Sequence, residues 1–568
     1  MEKMLGAEAL PMPRSMTQTV RDFILPRMMV ITAIVMCFLL VVFILWPIIT
    51  ILIKSIYGSD GLTWRYYAKF LSKGYYYRSL FNTMILGCLT TAVCVTVGFC
   101  LAYMTTRGPI LFRKPMRLIA LLPLIAPPYI FALSLVTLFG RSGLMVKLFG
   151  LNWNIYGFQG CVIAQTLAFL PLAYMMIENS LSSLNMNLED SASNLGASEG
   201  KILRSLTLPL LLPGFMKAAL IVFVMAVAEF GNVALLAGRT PFLAPDTYTM
   251  ITGAEVDFNM ASVLSVFLML PCAFIFFAQF YLTKGKSYTS IVGKPVAAEP
   301  RHITPLILIP FMAISLLTCL TILATFGVTV VGSFTNIVGI DNTFTWRHII
   351  SMRANMSIWN SIEVSALTGF FGAMLGIILA YVIVRGTFRG RVPLELMALS
   401  GFAFPGTAMG IGYIMAFNSH PLMLTGTISI IVLSSIFRSL VVGVEAGINK
   451  LQQLSIDVEE ASSNLGATTS QTFRKVVFPI IFPAFVYGFL YLFLRTMVTL
   501  SSVIFLAAPG YDLASIFIYD AAIWGNLGLA SATTLKMIIV CSACLGLLEL
   551  LSRWTGLSVT RSEKGGAG

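Results

Sequence analysis

Five ionisable residues stand inside long apolar stretches of this chain: Glu229, Glu363, Arg438, Glu445 and Arg495. Placing a charge in hydrocarbon costs about 2.5–3.5 kcal/mol on insertion scales, so such side chains are functional candidates by default. A carboxylate there suits a cation; a guanidinium suits an anion. Glu229, Glu363, Arg438 and Arg495 are therefore candidates for a translocation path. The competing reading is an interhelical ion pair, and Arg438 and Glu445, seven residues apart, can share one helix face. Lys536 and Glu549, near the ends of the last apolar stretch, are placed to snorkel or pair. No nucleophile–base pair and no metal-ligand spacing accompanies these residues, so the sequence points away from catalysis. The three histidines (His302, His348 and His420) are scattered, and all nine cysteines lie in apolar blocks. Cys541-Ser-Ala-Cys544 has redox spacing but sits in an expected span, where cysteine packs as a small apolar residue. Lys284-Gly285-Lys286-Ser287 lacks the earlier glycine of a phosphate loop, whose place is taken by Phe280.

A second constellation is written twice. "SNLGA" occupies residues 193–197 and again 463–467. At the same offset of 270, Leu181, Leu184, Glu189, Arg204, Pro209 and Pro213 match Leu451, Leu454, Glu459, Arg474, Pro479 and Pro483. Asp190 and Glu460 pair as acids. Leu451, Leu454 and Val458 recur at helical spacing, Gly466 then suits a helix end, and Thr468 with Gln471 forms a capping-box pattern. Pro479 and Pro483 are expected to mark where that helix ends and the next span starts. The first copy repeats the plan with Gly196, Ser198, Pro209 and Pro213, although Lys201 removes its capping box. Both copies predict a helix–turn–helix elbow with acids before the glycine and Arg204 or Arg474 after it.

The elements that carry these residues follow from composition. The 568 residues are 57% hydrophobic and 11% charged, with mean hydropathy +0.88. Soluble domains hold about 25% charged residues, and a bilayer span needs about 20 apolar ones. Backbone groups in lipid must be satisfied within the segment, and the alternation of a barrel strand is absent, so the fold class is an all-α polytopic membrane protein. Spans are expected near 29–53, 79–104, 118–139, 157–179, 213–237 and 261–283. A second set is expected near 304–333, 357–384, 393–418, 423–448, 483–507 and 530–553.

Most Lys and Arg residues collect on one side of this layout, in the tails, the 105–117 and 385–392 loops, both elbows and the 284–303 linker. That side is cytoplasmic by the positive-inside rule. The net charge of +13 follows from this bias and does not argue for nucleic acid. Further upstream the repeat offset is 278: Ser79, Asn82, Gly98, Ala102, Tyr103, Arg107, Gly108 and Pro127 match Ser357, Asn360, Gly376, Ala380, Tyr381, Arg385, Gly386 and Pro405. Six spans per copy give two parallel repeats about an axis along the membrane normal, with a path between them. The expected organisation is a cytoplasmic tail (1–28), a first transmembrane domain (29–283) with its elbow loop at 181–213, and a linker (284–303). A second domain (304–553) with its loop at 451–483 and a cytoplasmic tail (554–568) complete it.

Asp190-Ser191-Ala192, Gly196, Leu206, Leu208 and Pro209 fit the EAA-to-glycine loop of the membrane permeases of binding-protein-dependent ABC importers. Glu460-Ala461-Ser462, Gly466, Val476, Phe478 and Pro479 fit it again. The chain thus resembles two such type I permease units fused into one. The resemblance implies ATPase-coupling roles for Glu189, Asp190, Ala192, Gly196, Arg204, Pro209, Glu459, Glu460, Ala461, Gly466, Arg474 and Pro479. It also implies two copies of a cytoplasmic ATP-binding subunit, an external or periplasmic solute-binding protein and a bacterial inner-membrane location. No cofactor is expected on this chain; the partner subunits would use ATP.

A finer resemblance is to the fused permeases of ferric-iron uptake. It rests on Phe139-Gly140-Arg141-Ser142-Gly143, "IYGFQGCVIAQTLAFLP" (155–171), "AEFGNVALLAG" (228–238) and "YTSIVGKP" (288–295), with Glu229 standing where that group has aspartate. Importers of 2-aminoethylphosphonate and other organophosphates share these motifs, so the cargo stays open between them. A secondary transporter or channel is the rival class. The gaps 54–78, 238–260 and 334–356, two of them basic through Arg65, Lys69, Lys73, Arg347 and Arg353, are expected to receive the binding protein.

Overall fold

The structure is a computed structural model that describes residues 29–283 and 303–554, apart from 60, 142, 151–152, 185, 387 and 508–509. The expected tails and linker lie almost wholly outside the described residues. The first half contains α1 (Met29–Ile56), α2 (Gly74–Arg107), α3 (Ile110–Leu121), α4 (Ile130–Phe139), α5 (Phe158–Ser182), α6 (Met186–Asn194), α7 (Leu208–Ala228), α8 (Gly231–Leu236), α9 (Leu243–Thr252) and α10 (Phe258–Thr283). The second contains α11 (Pro305–Ser333), α12 (Met352–Arg385), α13 (Arg391–Ala403), α14 (Gly406–Phe417), α15 (Ile428–Gln452), α16 (Ile456–Asn464), α17 (Phe478–Val498), α18 (Ala514–Ile523) and α19 (Leu527–Trp554). Among the described residues, 11 helices are long and apolar enough to cross a membrane, and α13 with α14, bent by 109°, makes up to 12. Phe38, Phe274, Leu317 and Leu320 on their outer faces are exposed, as lipid-facing side chains should be.

The sequence repeat is a structural one. α2 and α12 begin and end 278 residues apart, while α5 and α15, α6 and α16, and α7 and α17 do so at 270. The halves are interlocked through their first helices. Tyr413 on α14 donates to the Phe43 carbonyl of α1 (2.7 Å), and Ser134 on α4 donates to the Thr325 carbonyl of α11 (2.9 Å).

Four spans and two loops depart from the sequence expectation. The spans placed at 118–139 and 393–418 are broken. Ala126 and Phe404 are extended (ψ 150° and 135°) because the residue after each, Pro127 or Pro405, disfavours a helical predecessor and brings no N–H. The loops at 105–117 and 385–392 correspondingly shrink, since α3 and α13 begin at Ile110 and Arg391. The spans placed at 213–237 and 483–507 stop at Ala228 and Val498, followed by extended Glu229 (φ −75°, ψ 127°) and Thr499 (φ −74°, ψ 127°).

The helix after each elbow, by contrast, does not end at its prolines. It runs unbroken from Glu199 to Ala228 and from Ser470 to Val498. A π-helical turn (Leu203–Thr207, Phe473–Val477) lies immediately before Pro209 and Pro479. Its wider turn relieves the clash and the missing donor that proline imposes on an α-helix.

The 238–260 gap is also not an outlying loop. It holds α9, whose Leu243, Ala244, Asp246 and Thr247 are buried, and α18 is its counterpart in the second half.

Candidate functional site

Each elbow is a short helix stopped by a left-handed glycine. Gly196 and Gly466 have φ +84° and +83°. Gly466 N–H donates to Ser463 O (3.0 Å) and Ala467 N–H to Ser462 O (3.2 Å); Gly196 and Ala197 donate likewise to Ser193 and Ala192. These bonds satisfy the last carbonyls of α6 and α16. A Cβ at either glycine would meet nothing within 4 Å, so the requirement is conformational and not steric. The capping box expected in the second copy forms: Thr468 N–H donates to Gln471 Oε1 (2.8 Å) and Gln471 N–H to Thr468 Oγ1 (3.3 Å). Ser198 in the first copy makes no such side-chain bond.

Buried ion pairs fasten the elbows to the long helices. Arg107, the last residue of α2, has its Nε 3.4 Å from Glu189 Oε2, with both side chains almost wholly enclosed. Thr207 donates to the other carboxylate oxygen at 2.9 Å. In the second half Arg385, the last residue of α12, donates from Nε to Glu459 Oε1 (2.7 Å) and from Nη2 to the carbonyls of Leu451 and Leu454. Tyr381 adds a bond to Glu459 Oε2 (3.1 Å). Glu189 and Glu459 thus point into their own halves, while Asp190, Arg204, Pro209, Glu460, Ala461, Arg474 and Pro479 are exposed and Ala192 is half-buried.

The opposite ends of α2 and α12 are clamped as well. Asn82 donates to Pro241 O and Asn360 to Asp512 O, both at 3.0 Å, holding the segments that lead into α9 and α18. One 34-residue helix per half therefore joins an elbow to the segment that leads into an inserted helix.

Between the halves lies a cavity with about 440 Å³ of space free of protein atoms, counting its open mouth. Glu229, Arg438 and Arg495 line it together with Met225, Tyr129 and Thr499. Three of the four path residues proposed from sequence are thus brought to one place. Glu363 is not among them: it is exposed and accepts a hydrogen bond from Tyr511 (2.7 Å). Glu445 is also exposed and forms no ion pair with Arg438. Glu229 Oε1 accepts from the N–H groups of Gly231 (3.0 Å) and Asn232 (3.3 Å), so one carboxylate oxygen caps α8.

Residues 94–288 match the family described as the binding-protein-dependent transport system inner membrane component. The molybdenum transport system permease protein ModB of Haemophilus influenzae is 31% identical over 159 residues, covering 26% of this chain and 69% of that protein. The chain belongs to this permease family. It is also 29% identical over 544 residues to the ferric transport system permease protein FbpB of Actinobacillus pleuropneumoniae, covering 92% of this chain and 78% of the relative. A putative ferric transport system permease protein, FbpB 1 of Haemophilus influenzae, is 29% identical over 491 residues, at 84% and 78% coverage. Similarity over most of the chain, with the repeat, makes this a fused permease of two units.

Two features of the permease escaped the sequence reading. Leu195 and Leu465, at the elbow tips, are 88% and 89% exposed, the two highest values among the described large apolar residues. The signal was present, since leucine stands third in both copies of "SNLGA". The second is a cluster of four aromatic rings on the side of the cavity away from the elbows. Phe230, next to Glu229, lies 5.3 Å from Tyr248 and 5.5 Å from Tyr519, ring centre to ring centre. Tyr248 in turn lies 5.5 Å from Phe505 and 6.5 Å from Tyr519. Tyr248 sits on α9 and Tyr519 on α18, so both halves contribute to this cluster.

Proposed function

We propose that this chain is the membrane pathway of an ATP-driven importer, receiving cargo from an external binding protein and releasing it into the cytoplasm. The observation that carries this reading is the pair of elbows, each presenting an exposed leucine at the end of a helix locked to a long membrane helix by an enclosed ion pair. A pair of like knobs suits two copies of one ATP-hydrolysing subunit, and the elbow face is then the cytoplasmic one. Drawing the elbows together would pull on α2 and α12 through Arg107 and Arg385. Their far ends would carry α9 and α18, and with them the aromatic cluster beside Glu229.

The cargo proposed is ferric iron, supported by the two ferric transport relatives that match most of the chain. A second reading, 2-aminoethylphosphonate or another organophosphate, draws support from the two arginines in the cavity. Uptake by proteoliposomes holding the permease with its ATPase and loaded binding protein tests the reading. Uptake should require ATP on the elbow side. Undiminished uptake without ATP would point to a secondary transporter or channel instead.

A further inference from the structure

We infer that the central cavity is a cargo site for an oxyanion group, bound by Arg438 and Arg495. This deepens the importer reading and rests on it. The duplicated scaffold supplies the first argument. Arg495 and Met225 occupy corresponding places at the offset of 270, and they meet across the two halves, Arg495 Nη2 lying 3.8 Å from Met225 Sδ. Glu229 corresponds to Thr499, and Arg438 to Ala168. Helix boundaries, clamps and elbows agree between the copies, so the scaffold stands without these charges. At the shared cavity, each of these three charges has an uncharged counterpart in the other copy.

Charge balance supplies the second. Two guanidinium groups face one carboxylate, and half of that carboxylate is already bound by two backbone N–H groups. Among the described residues, neither arginine lies within salt-bridge distance of an acid. The Tyr129 hydroxyl also has no hydrogen-bond partner. A membrane-embedded charge without a partner is unfavourable unless a ligand supplies one. Packing shows that Arg438 is given room: a Cβ on Gly406 would lie 2.8 Å from its guanidinium carbon, and Pro128 stands at that place in the first half.

The chemistry follows. Planar guanidinium forks match carboxylate and phosphate oxygens, and a surplus of positive charge repels a bare trivalent cation. Among the described residues no three His, Cys, Asp or Glu side chains gather to hold a metal. Ferric iron reaching this cavity must therefore arrive with its charge covered by oxyanion ligands; an organophosphate brings its own.

The test is equilibrium binding of radiolabelled orthophosphate and citrate to the purified full chain in lipid nanodiscs, which needs neither ATPase nor transport. Saturable binding at one site is expected, weakened about tenfold or more by Arg438→Gln or Arg495→Gln and restored in part by Arg495→Lys. Glu363→Gln serves as a control that leaves binding unchanged, and monodisperse elution of each variant reports intact folding. Absence of saturable binding, or equal binding by both glutamine variants, overturns the site. Uptake in the full complex then separates the sources. Ferric citrate uptake that falls in the Arg variants supports an iron–oxyanion cargo, and 2-aminoethylphosphonate uptake that falls supports a free phosphonate. Uptake of either cargo that is unchanged in both variants overturns the inference. A wild-type complex that binds orthophosphate but transports nothing with ATP would instead count against the importer reading alone.

Discussion

One turn before the break in α7 the side chain facing the cavity is Met225; at the matching turn of α17 it is Arg495. At the elbows the same offset relates Glu189 to Glu459, Gly196 to Gly466 and Leu195 to Leu465; the two glycines share their positive φ and the two leucines their exposure. The two copies thus differ around the shared cavity and agree at the glycines and leucines of the elbows. A partner with two like subunits demands like sockets, whereas a cargo crossing the axis needs no such symmetry. The elbows do differ in the strength of their fastening. The second has the shorter ion pair and a formed capping box; the first has a longer pair in deeper burial.

The largest effect should come from the elbow glycines. Valine at 196 or 466 requires a β-branched residue at positive φ, where even an unbranched residue loses roughly 1–2 kcal/mol. Either variant should abolish ATP-dependent uptake while leaving membrane abundance near wild type, read by transport assay and immunoblot. Next come the ion pairs. Arg385→Gln leaves Glu459 enclosed without its partner, at a cost of about 3 kcal/mol, and the exchanged pair Arg385→Glu with Glu459→Arg should recover part of the loss. Thermal unfolding in detergent measures this, and Arg107→Gln, at the more buried site, should be the more damaging of the two.

Smaller still is the effect of Leu195→Asp or Leu465→Asp, about 2 kcal/mol or thirtyfold in affinity for the ATPase subunit, read by co-purification. Equal losses at the two positions would support like sockets; unequal losses would break the comparison. The smallest effect separates the halves again. Gln471→Ala should cost about 1 kcal/mol through the capping box, and Ser198→Ala should cost less, because Ser198 makes no cap bond.

Much of this was legible in the sequence because it rests on local chemistry. Glycine at a helix end, the Thr468–Gln471 box and long apolar runs each act over a few residues, and repetition located them twice. What was missed depends on contacts between distant residues. Glu189 and Asp190 are adjacent acids, and nothing local says that one is held by Arg107 while the other faces outward. The broken helices follow from Pro127 and Pro405, which the repeat had singled out without showing that they interrupt a span. The continuous helix through Pro209 and Pro479 was misread because a π-turn absorbs the proline penalty. The helix α9 was read as surface loop because it is too short to span a membrane and its burial comes from packing on other helices, chiefly α10.

The central claim is that both elbows seat in a separate ATP-hydrolysing subunit. Cysteine placed at Leu195 and at Leu465, one at a time, in the assembled transporter tests it most directly by cross-linking. Both positions should cross-link to the nucleotide-hydrolysing subunit, with yields that change when ATP is added. Labelling of either cysteine from outside the cell by a membrane-impermeant thiol reagent, with no cross-link to such a subunit, would contradict the account.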